Sequence, residues 1–229
     1  MSKLVLFDID GTLLYTAGAG RRAMIGSIEH LYGVCDAVDG VDFLGRSDLY
    51  ILRRALANAG VAPEDLTAAV AATKTEYLRI LPGALEESKT GRALDGVMGI
   101  LEGLKDGIQV GLVTGNFRES AFMKLEHYGL DSYFSTGGFG DDTEERSEIV
   151  EEAIRRCECL AGVRYAAADV YVVGDSPLDV LAGRAVGVQT VAVASGWTSY
   201  EELAGYQPAF LFIDLSDVPA FLEVVDCAG

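Results

Sequence analysis

The chain has 229 residues, half of them hydrophobic and 23% charged, which allows one large domain or one domain carrying a smaller insert. Its 35 acids outweigh 18 bases and leave a formal net charge of -17. That balance argues against nucleic acid and anionic membrane as partners, since both need clustered Lys and Arg. A small anion remains a possible ligand only where a local site overcomes the repulsive field.

Taken in chain order, the first element is the apolar run LVLFDI (4–9), read as a buried strand. The next, residues 15 to about 92, breaks any strand rhythm and carries three helical patterns. RRAMIGSIEHLYG places Met24, Ile28 and Leu31 in register; DLYILRRALANAG places Leu52 and Leu56; PEDLTAAVAATKTEYLRIL runs until Pro82 stops it. A crossover needs only about a dozen residues, so this stretch reads as a helical insert, 16–92, joined through TAGAG (16–20) and a second stretch near 83–92. Then come a helix through Val97, Leu101 and Leu104, the strand QVGLVT (109–114) and a helix through Phe122 and Leu125. YFSTGGF (133–139) is a shorter strand candidate. A helix through Ile149, Ala153, Ile154 and Cys157 precedes the strands VYVVGD (170–175), QTVAVA (189–194) and FLFID (210–214). Strands alternating with helices imply right-handed crossovers and a parallel sheet covered on both faces. The expected architecture is α/β: a Rossmann-like, doubly wound parallel sheet from 1–15 and 93–229, with an inserted α-helical cap domain.

No apolar run approaches the ~20 residues of a membrane span, and MSKLVLFDID has no signal-peptide layout. Cys35, Cys157, Cys159 and Cys227 are too few and scattered for a disulfide framework. His30 and His127 have no partner at metal-ligand spacing, so a zinc site is not expected. The expectation is a soluble, reduced, cytoplasmic protein that is a monomer or homodimer.

Ligands of open parallel sheets bind beyond the carboxyl ends of the strands. Asp8-Ile9-Asp10-Gly11-Thr12, Thr114-Gly115-Asn116 and Gly174-Asp175-Ser176-Pro177-Leu178-Asp179 all follow strands and meet at one edge. Asp8 and Asp10, two apart on a strand, point the same way. Pro177 suits a first helical position, and Asp179 falls about a turn after Asp175. Converging carboxylates repel unless a cation is present, and a hard, oxygen-seeking ion such as Mg²⁺ resolves this with carboxylates, water and substrate phosphate. One acid can then attack phosphorus while its neighbour moves protons. Thr114 and the adjoining backbone N–H groups can bind phosphate oxygens.

DIDGTLL, TGN and GDSPLD resemble the first, second and fourth motifs of the haloacid dehalogenase superfamily of Mg²⁺-dependent phosphohydrolases, in the same order across the whole chain. A chance D-x-D-G-T is expected only about two times in a thousand chains of this length. The insert resembles the small helical cap of phosphoglycolate-phosphatase-like members. The resemblance implies Asp8 as nucleophile and Asp10 as acid/base. It implies Mg²⁺ on the Asp8 carboxylate, the Asp10 backbone carbonyl and Asp175, with Asp179 supporting. Gly11, Thr114, Gly115 and Asn116 would line the phosphate site.

The third motif departs from the pattern. The superfamily places a Lys, less often an Arg, between the second and fourth motifs. Lys124 lies too early, in the helix right after TGN, and no Lys follows it. Arg146 in GDDTEERSEIV is the candidate, just before a helix that Ser147 could cap; its fixed fork suits a charge-spread transition state. It sits among Asp141, Asp142, Glu144, Glu145 and Glu148, so membership of a solvated charged loop is the competing reading. In the insert, Arg46 could pair with a substrate carboxylate or phosphate, or stand exposed while Ser47 or Asp48 caps the next helix. Trp197 could line the site mouth, with packing the favoured role.

The leading expectation is a phosphomonoesterase acting on a small phosphorylated metabolite, phosphoglycolate-like or a sugar phosphate. A phosphomutase would differ only in cap chemistry. A 2-haloacid dehalogenase needs neither the Asp10 carboxylate nor Mg²⁺, and a phospho-accepting signalling module needs no eighty-residue insert.

Overall fold

Alternation along the first strand explains its unbroken apolar run. In β1 (Lys3–Phe7), Leu4 and Leu6 join one buried cluster while Val5 and Phe7 join another, as expected of a strand covered on both faces. The computed structural model describes residues 2–105, 107–141 and 143–227. Asp142 of the acidic run lies outside these.

On either side of β1 run β4 (Ile108–Val113) and β6 (Val170–Gly174), both parallel to it. The sheet is completed by β5 (Gly137–Gly138) beyond β4, and by β7 (Gln189–Val193) and β8 (Phe210–Phe212) beyond β6. The order is β5-β4-β1-β6-β7-β8, parallel throughout. One face is covered by α4 (Val97–Gly103), α5 (Arg118–His127) and α9 (Val218–Cys227), through Val97, Ile100, Ala121, Leu125, Phe221 and Val225. The other is covered by α6 (Arg146–Ala161) and α7 (Pro177–Val186), through Ile149, Ala153, Cys157 and Ala182. A short helix, α8 (Tyr200–Gly205), packs near β7 and β8. The expected strand 133–139 shrinks to two glycines. Gly137 has no room for a side chain, since a Cβ there would lie 2.4 Å from the Leu112 carbonyl oxygen.

The long segment after β1 holds α1 (Ala19–Tyr32), α2 (Asp48–Asn58) and α3 (Leu66–Glu86). These helices bury their own cluster, including Met24, Ile28, Leu52, Tyr77, Leu81 and Leu85. At its base, β2 (Leu14–Tyr15) and β3 (Arg92–Ala93) form an antiparallel ribbon that periodicity did not predict. Two expectations fail here. Pro82 does not stop α3, which continues to Glu86. The missing proline N–H costs one hydrogen bond, and burial of Ala84 and Leu85 against the cluster outweighs it. Leu31 is 42% exposed rather than packed; only Met24 and Ile28 of that register face inward. Among the described residues, no helix is long and apolar enough to cross a membrane.

Candidate active site

β1 delivers Asp8 at its carboxyl end, where the Asp8 amide still donates to Val173 O at 2.9 Å. The chain then turns through Gly11 at φ +87°, with the Gly11 amide donating to Leu14 O. A Cβ at Gly11 would lie 2.4 Å from Oδ2 of Asp175, so this turn and the end of β6 touch through a position that admits only glycine. Asp8, Asp10, Thr114, Gly115, Asn116, Arg146 and Asp175 all line one cavity of about 650 Å³. Its lining also includes Arg21, Phe43 and Arg46 of the helical segment.

The site has two halves. In the first, carboxylate oxygens of Asp8, Asp175 and Asp179 come within 4.8 Å of one another. Among the described residues Arg146 is the cation paired with them: its Nη2 lies 2.6 Å from Asp179 Oδ1 and 3.2 Å from Asp8 Oδ1, and also donates to Val113 O at 3.1 Å. Arg146 is buried, so it does not belong to a solvated loop. The acids around it turn elsewhere: Asp141 pairs with Lys74, Glu144 with Arg53, and Glu148 accepts from Thr143. The helix starts at Arg146 itself, so Ser147 lies inside the first turn and is not its cap. Burial raises the Asp8 carboxyl to about 6, against the lowering pull of Arg146. Burial, then Asp8 and Asp179, push Asp175 well above the usual carboxylate range.

Asp179 stands at the third position of α7, in a capping box with Ser176 behind Pro177. Its Oδ1 accepts from Arg146 and its Oδ2 from the Ser176 amide and hydroxyl. Asp175 differs: its Oδ2 is buried without a hydrogen-bond partner. An orphaned buried carboxylate oxygen calls for a ligand. A Cβ at Gly196 would lie 1.7 Å from the same oxygen, so a backbone cradle closes on it. Three clustered acids, two of them on one arginine, with one oxygen of the third unclaimed, fit a hard divalent cation held by oxygen ligands.

In the second half, Asp10 accepts from Thr16 Oγ1 at 3.2 Å, Asn116 Nδ2 at 2.9 Å and Lys124 Nζ at 2.5 Å. Burial raises its carboxyl, but Lys124, Asn116 and Thr16 together outweigh burial and hold it below the usual range. Asn116 thus orients Asp10. Thr114 Oγ1 accepts from the Asn116 amide and Nδ2, which leaves its own proton to donate.

Lys124 is the residue sequence reasoning set aside. It is 3% exposed and sits on the buried face of α5 with Ser120, Ala121 and Leu125. A lysine on the apolar stripe of a helix that follows a polar loop was the available signal. Of the two cap candidates at the start of α2, Ser47 takes the role. Ser47 caps α2, accepting from the Tyr50 amide at 3.2 Å. Asp48 instead caps α5 across the chain, accepting from the Phe117 amide at 3.0 Å and the Ser120 hydroxyl. Burial raises it to about 6, although Lys124 pulls the other way. Arg46 lies on the cavity wall, with Nε 3.3 Å from Asp42 Oδ2 and its guanidinium over Tyr50. Trp197 is 64% exposed at the cavity, not packed.

This constellation, on a parallel sheet with an inserted helical segment, defines a hydrolase of the haloacid dehalogenase class. Residues 5–193 match the haloacid dehalogenase-like hydrolase family, and the chain belongs to it. A plasmid-borne phosphoglycolate phosphatase of Cupriavidus necator is 30% identical over 226 residues, 95% of this chain and 92% of that protein. Pyrophosphatase PpaX of Anoxybacillus flavithermus is 27% identical over 221 residues, 96% of each chain. A crystal structure of a predicted phosphoglycolate phosphatase from Haemophilus somnus superposes with a TM-score of 0.70 at 19% identity, covering 96% of this chain and 97% of that one.

Proposed function

We propose that the protein is a Mg²⁺-dependent phosphatase that hydrolyses a small phosphomonoester in the cytoplasm through an aspartyl-phosphate on Asp8. The observation that carries this reading is the split site: a nucleophile-bearing half short of positive charge, beside a half whose acid is already balanced. In it, residues 16–92 act as the cap that closes the cavity.

The Asp8 and Asp175 carboxylates and the Asp10 backbone carbonyl would hold the Mg²⁺, with Asp179 supporting through Arg146. When bound there, the ion would supply charge neutralisation to the nucleophile and to the phosphoryl oxygens. Asp8 attacks phosphorus, and the bond to the leaving oxygen breaks with its electron pair on that oxygen. Arg146, the Thr114 hydroxyl and the Gly115 turn bind the spread charge of the transferring group. Asp10 gives a proton to the leaving oxygen and then takes one from the water that attacks the aspartyl-phosphate. It rests ionised; an arriving phosphate adds negative charge beside it and favours the protonated form.

A cavity of about 650 Å³ suits a small metabolite. Arg21 and Arg46 in its lining favour a leaving group with a second anion or several hydroxyls, phosphoglycolate-like or a sugar phosphate. A phosphate-release screen over phosphoglycolate, sugar phosphates, pyrophosphate and p-nitrophenyl phosphate tests the reading. Activity should need Mg²⁺ and vanish in Asp8→Asn. Metal-independent chloride release from chloroacetate would sink it.

A further inference from the structure

We propose that Lys124 is a positioning residue for Asp10: with Asn116 it saturates one carboxylate oxygen, so that proton exchange with the substrate runs through the other. The inference rests on the reading of Asp10 as the acid/base.

A buried ammonium is costly unless it is paired and hydrogen-bonded, so the placement of Lys124 needs a reason. Its Nζ donates to Oδ2 of Asp10 at 2.5 Å and to Oδ1 of Asn116. The amide of that same Asn116 donates to the same Oδ2 at 2.9 Å and to Thr114 Oγ1 at 2.7 Å. Asp10 Oδ2 therefore receives two donors, which fills its two lone-pair directions. Among the described residues Oδ1 receives the Thr16 hydroxyl alone and keeps one direction open. A mere charge partner would not need Asn116 tied to both members of the pair. The closed triangle of Lys124, Asn116 and Asp10 fixes the plane of the carboxylate as well as its charge.

The helical segment holds the ammonium in place. A Cβ at Gly20 of α1 would lie 3.3 Å from Lys124 Nζ and 3.5 Å from the Tyr77 hydroxyl. Gly20 thus lets α1 close over the lysine, where a side chain would crowd the ammonium. Arg146 cannot replace it, since its contacts are to Asp8, Asp179 and Val113 O.

The consequence is read from leaving groups. When Asp8 displaces an alkoxide, the P–O bond pair stays on the leaving oxygen, and that oxygen takes the proton from Asp10 Oδ1. A p-nitrophenolate leaves without a proton. The test measures kcat/KM, which covers the steps through phosphoryl transfer, on p-nitrophenyl phosphate and on the best alkyl phosphate of the screen. Lys124→Met should lower it about a hundredfold on the alkyl phosphate and about fivefold or less on the aryl ester. Asp10→Asn should show the same skew. Lys124→Gln, which keeps an N–H donor, should show a smaller skew in the same direction, and it carries the comparison if the Met variant does not fold. Equal losses on both substrates, or none, would overturn the inference. A skewed Asp10→Asn beside an unskewed Lys124→Met overturns the inference alone; an unskewed Asp10→Asn overturns the acid/base reading with it.

Discussion

Asp8 and Asp10 stand two residues apart on one strand end, yet their surroundings push them in opposite directions. Asp8 shares Arg146 with Asp179 and lies beside Asp175, which Arg146 does not reach, and its carboxyl rises to about 6 under burial. Asp10 meets Lys124 and two neutral donors and is held down despite burial. Burial alone therefore does not decide the fate of a carboxylate; the local count of cations and donors does. The first half is arranged to receive another positive charge, and the second is complete as it stands.

The largest effect expected from breaking this contrast is at Asp8. Asp8→Asn should reduce phosphate release to background, about ten-thousandfold or more. In metal-free buffer the same variant should melt no lower than the wild type, because it removes one member of a repelling cluster. A clear drop in melting temperature would mean that Asp8 is already well compensated. Metal removal probes the same half. Chelation should abolish turnover, and millimolar Mg²⁺ should raise the wild-type melting temperature by mass action. Asp175→Asn should lose most of that rise, since Asp175 holds the unclaimed buried oxygen. An undiminished rise in this variant would place the ion elsewhere.

Arg146 gives the next effect. Arg146→Ala should cut activity about a hundredfold. It should also cost about 3–5 kcal/mol of stability in denaturant unfolding, because buried Asp8 and Asp179 lose the cation they share. A loss confined to activity would show that Asp179 is held well enough by Ser176 alone.

Much of this was legible in the sequence. Strands buried on both faces leave apolar runs, and acids just past their ends mark the ligand edge. Arg146 followed from motif order and its burial confirms that it is no surface charge. What the sequence concealed depended on long-range partners. Lys124 looked like an ordinary helix lysine because its partner, Asp10, is 114 residues away. Pro82 obeyed a local rule that burial of Ala84 and Leu85 overrode. The ribbon of β2 and β3 has two residues per strand, too short for any periodicity. Asp48 caps a helix 69 residues distant, while the caps that could be read locally, Ser176 and Ser47, lie within three residues of their partners.

Asp48 sharpens the contrast with the smallest expected effect. It feels the same Lys124 as Asp10, yet it lies at about 6 rather than below the usual range. The ammonium donates directly to Asp10 and Asn116 and reaches Asp48 only through space, so burial prevails there. The folded carboxyl is raised above its ordinary 3.8, so between these values the folded state binds the proton more tightly than the unfolded chain. Stability from this group is full below 3.8 and is lost as pH rises through about 6. Asp48→Asn keeps an oxygen acceptor for the Phe117 amide and removes the titration. Its unfolding free energy relative to wild type should therefore rise by about 3 kcal/mol between pH 3.5 and pH 7.5, at 1.36 kcal/mol per pKa unit. A difference that stays flat across that window would mean that Lys124 serves Asp48 as closely as it serves Asp10, and the two halves would then differ less than their geometry implies.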